Sequence, residues 1–158
     1  MAQYTIQSIA TSNSTVNTDD GFVEIDCPAN VCIKIKRVRV CWGDGTATAG
    51  VDNMFRIKIF RWTTGSGSAG TAFTPVKRNA TSSAAASTVK VKNGTTAFSL
   101  GTTTSLIDQI AVNGRAIFEW VARDDDDMII TAPGEFFAIV IASAVVSQLF
   151  TVTVDFVE

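Results

Sequence analysis

The sequence has 158 residues, the length of one domain, with a net charge of −2 and no histidine. It holds 14 Ile, 17 Val and 20 Thr against 3 Leu. That balance argues against a helical protein, because β-branched side chains lose rotamer freedom in helices and pack well on a pleated sheet. Without histidine, the commonest general base near neutral pH and the commonest metal ligand are both missing, which excludes the usual nucleophile-histidine pairs and a zinc site completed by imidazole.

The first twenty residues, MAQYTIQSIATSNSTVNTDD, have no basic stretch and no apolar segment of signal-peptide length. They read as a polar N-terminal arm, residues 1–20, on a chain made in the host cytoplasm, ahead of a single domain over 21–158. Phe22 to Cys27 alternates, with Val23, Ile25 and Cys27 on one face and Glu24 and Asp26 on the other. From Val31 the apolar positions are Val31, Ile33 and Ile35, then Val38, Val40 and Trp42, with Lys36 and Arg37 at the change of phase. A shift of this kind predicts a β-bulge, or a bend that lets one strand serve both sheets of a sandwich. Cys27 and Cys32 flank a four-residue turn that could bring them within bridging distance, while Cys41 makes the count odd.

Met54 to Trp62 (MFRIKIFRW) places Phe55, Ile57 and Ile59 inward, with Arg56, Lys58, Phe60 and Trp62 outward. Thr63 to Ser87 is loop-like, rich in Gly, Ser and Ala, with a short edge strand around Phe73 to Val76. Shorter strands are expected at 88–92, 97–100 and 106–112, with hairpin turns at Asn93-Gly94 and Asn113-Gly114. The remaining strands fall at 115–122, 128–132, 135–143 and 149–157, separated by the acidic turn Asp124 to Asp127 and the Pro133-Gly134 turn. The whole is an all-β, antiparallel, jelly-roll-like sandwich of about eight strands.

Charge is unevenly placed along the chain. Residues 34–78 hold nine bases against two acids, a balance of +7, and residues 108–158 hold nine acids against two bases, −7. Opposite-signed halves suit electrostatic matching between subunits, or a basic face laid on an acidic surface. Arg37, Arg39, Arg56 and Arg61 are the candidate contact residues. Catalytic, cofactor and metal sites are not expected. The acidic turn lacks the ligand spacing of a calcium loop, and Glu119 with Glu135 or Asp155 is the only carboxylate pair within apolar strands.

The closing block MIITAPGEFFAIVIASAVVSQLFTVTVDFVE, preceded by NGRAIFEW, resembles β-sandwich proteins of tailed-phage virions. Some of these are jelly-roll capsid decoration, or cement, proteins. The resemblance implies a non-enzymatic virion protein, often a homotrimer, sitting on the outer capsid surface. Its partners would be the major capsid protein and neighbouring copies of itself, with no nucleic acid and no membrane. The alternative is a carbohydrate- or receptor-binding module of a virion fibre, using Trp42 or Trp62 as a stacking platform.

Overall fold

Alternation of apolar and polar residues gives each strand one buried face, and two such faces must be laid together to exclude water. The computed structural model describes residues 1–8, 11–12, 19–42, 54–65, 70–92, 100, 102–126, 128–143 and 149–158. Among them are thirteen strand segments: β1 Gln3–Gln7, β2 Thr11–Ser12, β3 Asp20–Asp26, β4 Ile33–Trp42, β5 Met54–Thr64, β6 Thr71–Phe73, β7 Val76–Lys77, β8 Thr88–Val91, β9 Thr102–Asn113, β10 Phe118–Val121, β11 Ile129–Thr131, β12 Phe136–Ser143 and β13 Leu149–Val157. A seven-stranded sheet runs β10-β4-β13-β1-β7, with β11 also on β4 and β2 also on β13. A six-stranded sheet runs β6-β8-β3-β12-β5-β9. Because β11 follows β10 along one edge of β4, and β2 follows β1 along β13, the segments make eleven strand positions, more than the eight expected.

The pairings are antiparallel, and the chain changes sheet at most connections, as a jelly-roll-like sandwich does. The core lies between the sheets. Phe150 of β13 meets Phe55 of β5 and Phe22 of β3 edge-on, at 5.0 and 5.7 Å between ring centroids. Such pairs add about 0.5–1.5 kcal/mol beyond the area they bury.

Gln3–Gln7, expected within a polar arm, is instead an interior strand. It is paired to β13 along its length and to β7 at Tyr4 and Thr5. Tyr4 and Ile6 are fully buried, and Tyr4 stacks on Phe156 at 5.3 Å. The phase change in β4 is a bulge: Arg37 faces Asp155 and Ile35 faces Phe156, leaving Lys36 as the extra residue. Among the described residues β4 pairs with β13, β10 and β11 of its own sheet and shows no bend into the other sheet. The Asn113-Gly114 turn, expected to close a hairpin, carries the chain from β9 in one sheet to β10 in the other. The Asn93-Gly94 turn, most of the 97–100 strand and the segment around Gly43 to Gly50 lie outside the described residues.

Candidate functional site

The bulge at Lys36 resets the alternation of β4, so Arg37 and Arg39 project from the outer face of the seven-stranded sheet while Val38 and Val40 return to the core. The neighbouring outward position on β13 is Asp155, flanked on β1 by Thr5. Three donors converge on this one carboxylate. Arg37 Nη2 lies 2.7 Å from Oδ2, Arg78 Nη2 lies 3.1 Å from the same oxygen, and Thr5 Oγ1 donates to Oδ1 at 2.6 Å. Glu119 of β10 reaches Arg37 Nη1 from the other side, at 3.6 Å. The Asp155 side chain is only 10% exposed, so these contacts operate where solvent screening is weak.

The cluster floors a recess of about 350 Å³, which Lys36, Arg78 and Val121 help to line. Arg37 Nε is buried there with no partner among the described groups. Chemically the arrangement is a clamp. It ties β1, β4, β13 and the segment after β7 through Asp155, adds β10 through Glu119 on Arg37, and leaves a cationic rim. Glu119 and Asp155, one of the carboxylate pairs noted in the sequence, do come onto one face, where each is held by Arg37. Glu135 lies elsewhere, in the turn before β12, accepting from Ala132 N at 3.1 Å and facing Arg61 Nε at 3.6 Å.

The four candidate arginines do not share a surface. Arg37 and Arg39 lie on the outer face of the seven-stranded sheet, and Arg56 lies on the outer face of the six-stranded one, opposite Ala142. Arg61 falls on the core-side phase of β5, opposite Phe137, and is paired with Glu135. Arg37 and Arg61 are therefore engaged within the chain, whereas Arg39 and Arg56 are exposed.

The separation of charge along the sequence is partly cancelled in space, where three of the nine bases meet three of the nine acids. Four ion pairs, Arg37–Glu119, Arg37–Asp155, Arg78–Asp155 and Arg61–Glu135, join the basic stretch to the acidic one. The cause is topological: β4 and β13, far apart in sequence, are neighbours in the sheet.

Trp62 is not a stacking platform. It is 1% exposed and stacks on Phe136 at 5.3 Å and 7°, with Nε1 donating to Gly65 O at 2.8 Å. Phe60 and Leu100 pack on this second cluster, which closes part of the outer face of the six-stranded sheet. Lys58, from the same outward row, is held by Asp19 at 2.5 Å. Trp42 is half-buried at the end of β4, opposite Phe150.

All three cysteines are free thiols. Burial, with Asp26 nearby, pushes the Cys27 thiol up to about 12, which makes it a poor nucleophile, while Cys32 is exposed. In the acidic turn Asp124 Oδ1 accepts from Asp126 N at 3.0 Å, and Asp124 to Asp126 are exposed. Among the described residues no three potential metal ligands converge.

A feature that sequence reading missed is the pair Lys92–Asp20, wholly enclosed at 2.6 Å. Lys92 continues the alternating run TVKVK, where a lysine ordinarily marks a solvated face.

No family model matches this sequence, and neither a curated protein nor a solved structure matches it.

Proposed function

We propose that this chain is a non-enzymatic structural protein of a virion, a decoration or cement protein that lies on the outside of a capsid and braces its subunits. The reading rests on the resemblance of residues 113–158 to such proteins. One observation carries it further: the charged side chains that converge, at Asp155 and at Lys92, bind strands to one another, whereas the exposed large apolar side chains gather on strand edges. Leu106, Ile107 and Ile110 lie on β9, and Val121 lies on β10. Exposed apolar side chains of this kind mark contact surfaces, which supports the reading.

Arg39 and Arg56 are the cations offered for attachment, one on each outer face. A decoration protein lying flat meets its capsid with one face, so Arg39→Glu and Arg56→Glu made separately should differ. One should weaken salt-sensitive binding to purified capsids and the other leave it unchanged. The broader test is the chain's copy number on purified particles relative to the major capsid protein. A fixed ratio with density on the outer surface is expected, and absence from particles overturns the proposal.

A further inference from the structure

Around Asp155 the hydrogen-bond donors outnumber the acceptors. Oδ1 is taken by Thr5 Oγ1, and Oδ2 by both Arg37 Nη2 and Arg78 Nη2. Glu119 is engaged by Arg37 Nη1, and Glu158 accepts from Ala86 N and Ser87 N, both at 2.9 Å. The exposed turn Asp124 to Asp126 lines no part of the recess. Three groups that do line it still have donors to offer. Among the described residues the half-buried Lys36 ammonium has no partner, Arg78 engages only Nη2, and Gln3 is exposed with its side-chain amide unpaired.

The β4 bulge creates this surplus. Lys36 and Arg37 are adjacent in sequence, so regular alternation would send them to opposite faces, yet at the bulge both line the one recess. The shortage of acceptors reaches inward as well, since Arg37 Nε is enclosed without one, and enclosed donors are ordinarily satisfied. Charge sets what would restore the balance. Lys36, Arg37 and Arg78 stand against Asp155 and Glu119, leaving one positive charge, which a single carboxylate neutralises and a phosphate dianion overshoots. At about 350 Å³ the recess has room for a side chain and not only for a bare ion. Val121, 53% exposed, gives it an apolar lip for methylene groups.

We propose that the recess is a carboxylate-binding site, taking an Asp or Glu side chain of a protein partner between Lys36 and Arg78, with Val121 against its methylenes. Arg78 keeps Asp155 on Nη2 and presents its other nitrogens to the newcomer. Because the site is recessed, the contact is less screened than an ion pair on an open surface. The inference deepens the contact-protein reading by naming the chemistry of one contact. It is tested on the purified chain with no capsid present, so its failure is distinct from failure of particle binding.

The probe is N-acetylglutamate α-amide, a single carboxylate in peptide form, titrated at constant ionic strength. NMR follows the arginine Nε–Hε signals and the backbone amides of Lys36 and Val121. Saturable shifts are expected. N-acetylglutaminamide, neutral and of the same shape, should give none, and acetate should bind more weakly because it lacks the methylenes. Lys36→Gln and Arg78→Gln, each checked by an otherwise unchanged spectrum, should weaken binding severalfold. Arg39→Gln, on the same outer face but outside the recess, should leave it unchanged. Shifts that never saturate, or binding that Arg39→Gln reduces as much as Lys36→Gln, would assign the effect to the general field of the sheet and overturn the proposal. Binding that neither Lys36→Gln nor Arg78→Gln weakens lies elsewhere and overturns it too. So does inorganic phosphate or acetate binding as tightly as the glutamate probe.

Discussion

Lys92 and Asp20 are joined where neither meets water: Nζ lies 2.6 Å from Oδ2, with side-chain exposures of 0% and 2%. The ammonium also lies 4.9 Å from the centroid of the Phe22 ring, whose face attracts a cation. Burial pulls the Lys92 pKa below its ordinary value, while the hydrogen bond and charge of Asp20 oppose that fall. Removing one partner strands a buried charge, so Lys92→Met should cost about 3–5 kcal/mol of stability. Adding Asp20→Asn should recover part of the loss, because no ion then remains enclosed. Urea unfolding of the single and double variants measures both, and equal losses would assign the effect to packing instead of charge.

Asp155 accepts from Thr5, Arg37 and Arg78 and is nearly closed to solvent, so Asp155→Ala leaves two neighbouring guanidinium groups without the acid they share, Arg37 keeping only its longer contact to Glu119. A loss of about 2–3 kcal/mol is expected. Arg78→Ala should cost less than about 1 kcal/mol, because its side chain is 52% exposed and its pair is screened. A double-mutant cycle over Arg37 and Asp155 gives the coupling directly.

The Cys27 thiol gives a pH dependence of known sign. Unfolded, it ionises near 9.0, and folded it holds its proton to about 12. Between those values the folded state binds the extra proton, so stability falls as pH rises, by about 1.4 kcal/mol per pH unit. Below pH 9 the contribution vanishes. Lys92 acts oppositely, since its lowered pKa makes the folded state bind fewer protons just below 10.5 and stability there rises with pH. The decisive measurement is therefore the difference in slope between wild type and Cys27→Ala above pH 9. In native protein, alkylation should reach Cys32 first and Cys27 only on unfolding.

Gly134 has φ +77°, a conformation that L side chains resist, and open space where a Cβ would stand. Gly134→Ala therefore tests backbone strain without a clash, and should cost about 1–2 kcal/mol in thermal or chemical unfolding. Loss of Gly134 also disturbs its bond to Cys27 O, at 3.0 Å, only if the turn itself moves. An unchanged midpoint would show that the turn relaxes.

Period-two patterns were legible wherever one face of a strand meets the core. Phe150, Val152, Val154 and Phe156 of β13 alternate and are all buried, and the slip at Lys36 marked the bulge in β4. What alternation does not encode is which strands become neighbours. The charge imbalance therefore read as a surface feature, although β4 lies against β13 and joins Arg37 to Asp155. Tyr4 and Ile6 alternate too, but the Ser, Thr and Asn that follow them masked a strand that only β13 and β7 on either side make stable. Trp62 sits on the polar phase of β5, and its burial depends on Phe136 from a strand some seventy residues later. Lys92 was opaque for the same reason, its partner lying 72 residues earlier, at the start of β3.

The pairing of β1 with β13 sets a schedule for folding. Gln3 is matched with Val157, and Ala2 exchanges backbone hydrogen bonds with Glu158, so β1 waits for a partner made about 150 residues after it. At a synthesis rate of roughly 5–20 residues per second, Tyr4 and Ile6 stay without their ladder for on the order of ten seconds. Closure across so long a chain also places folding in the slow, millisecond-to-second class of β topologies.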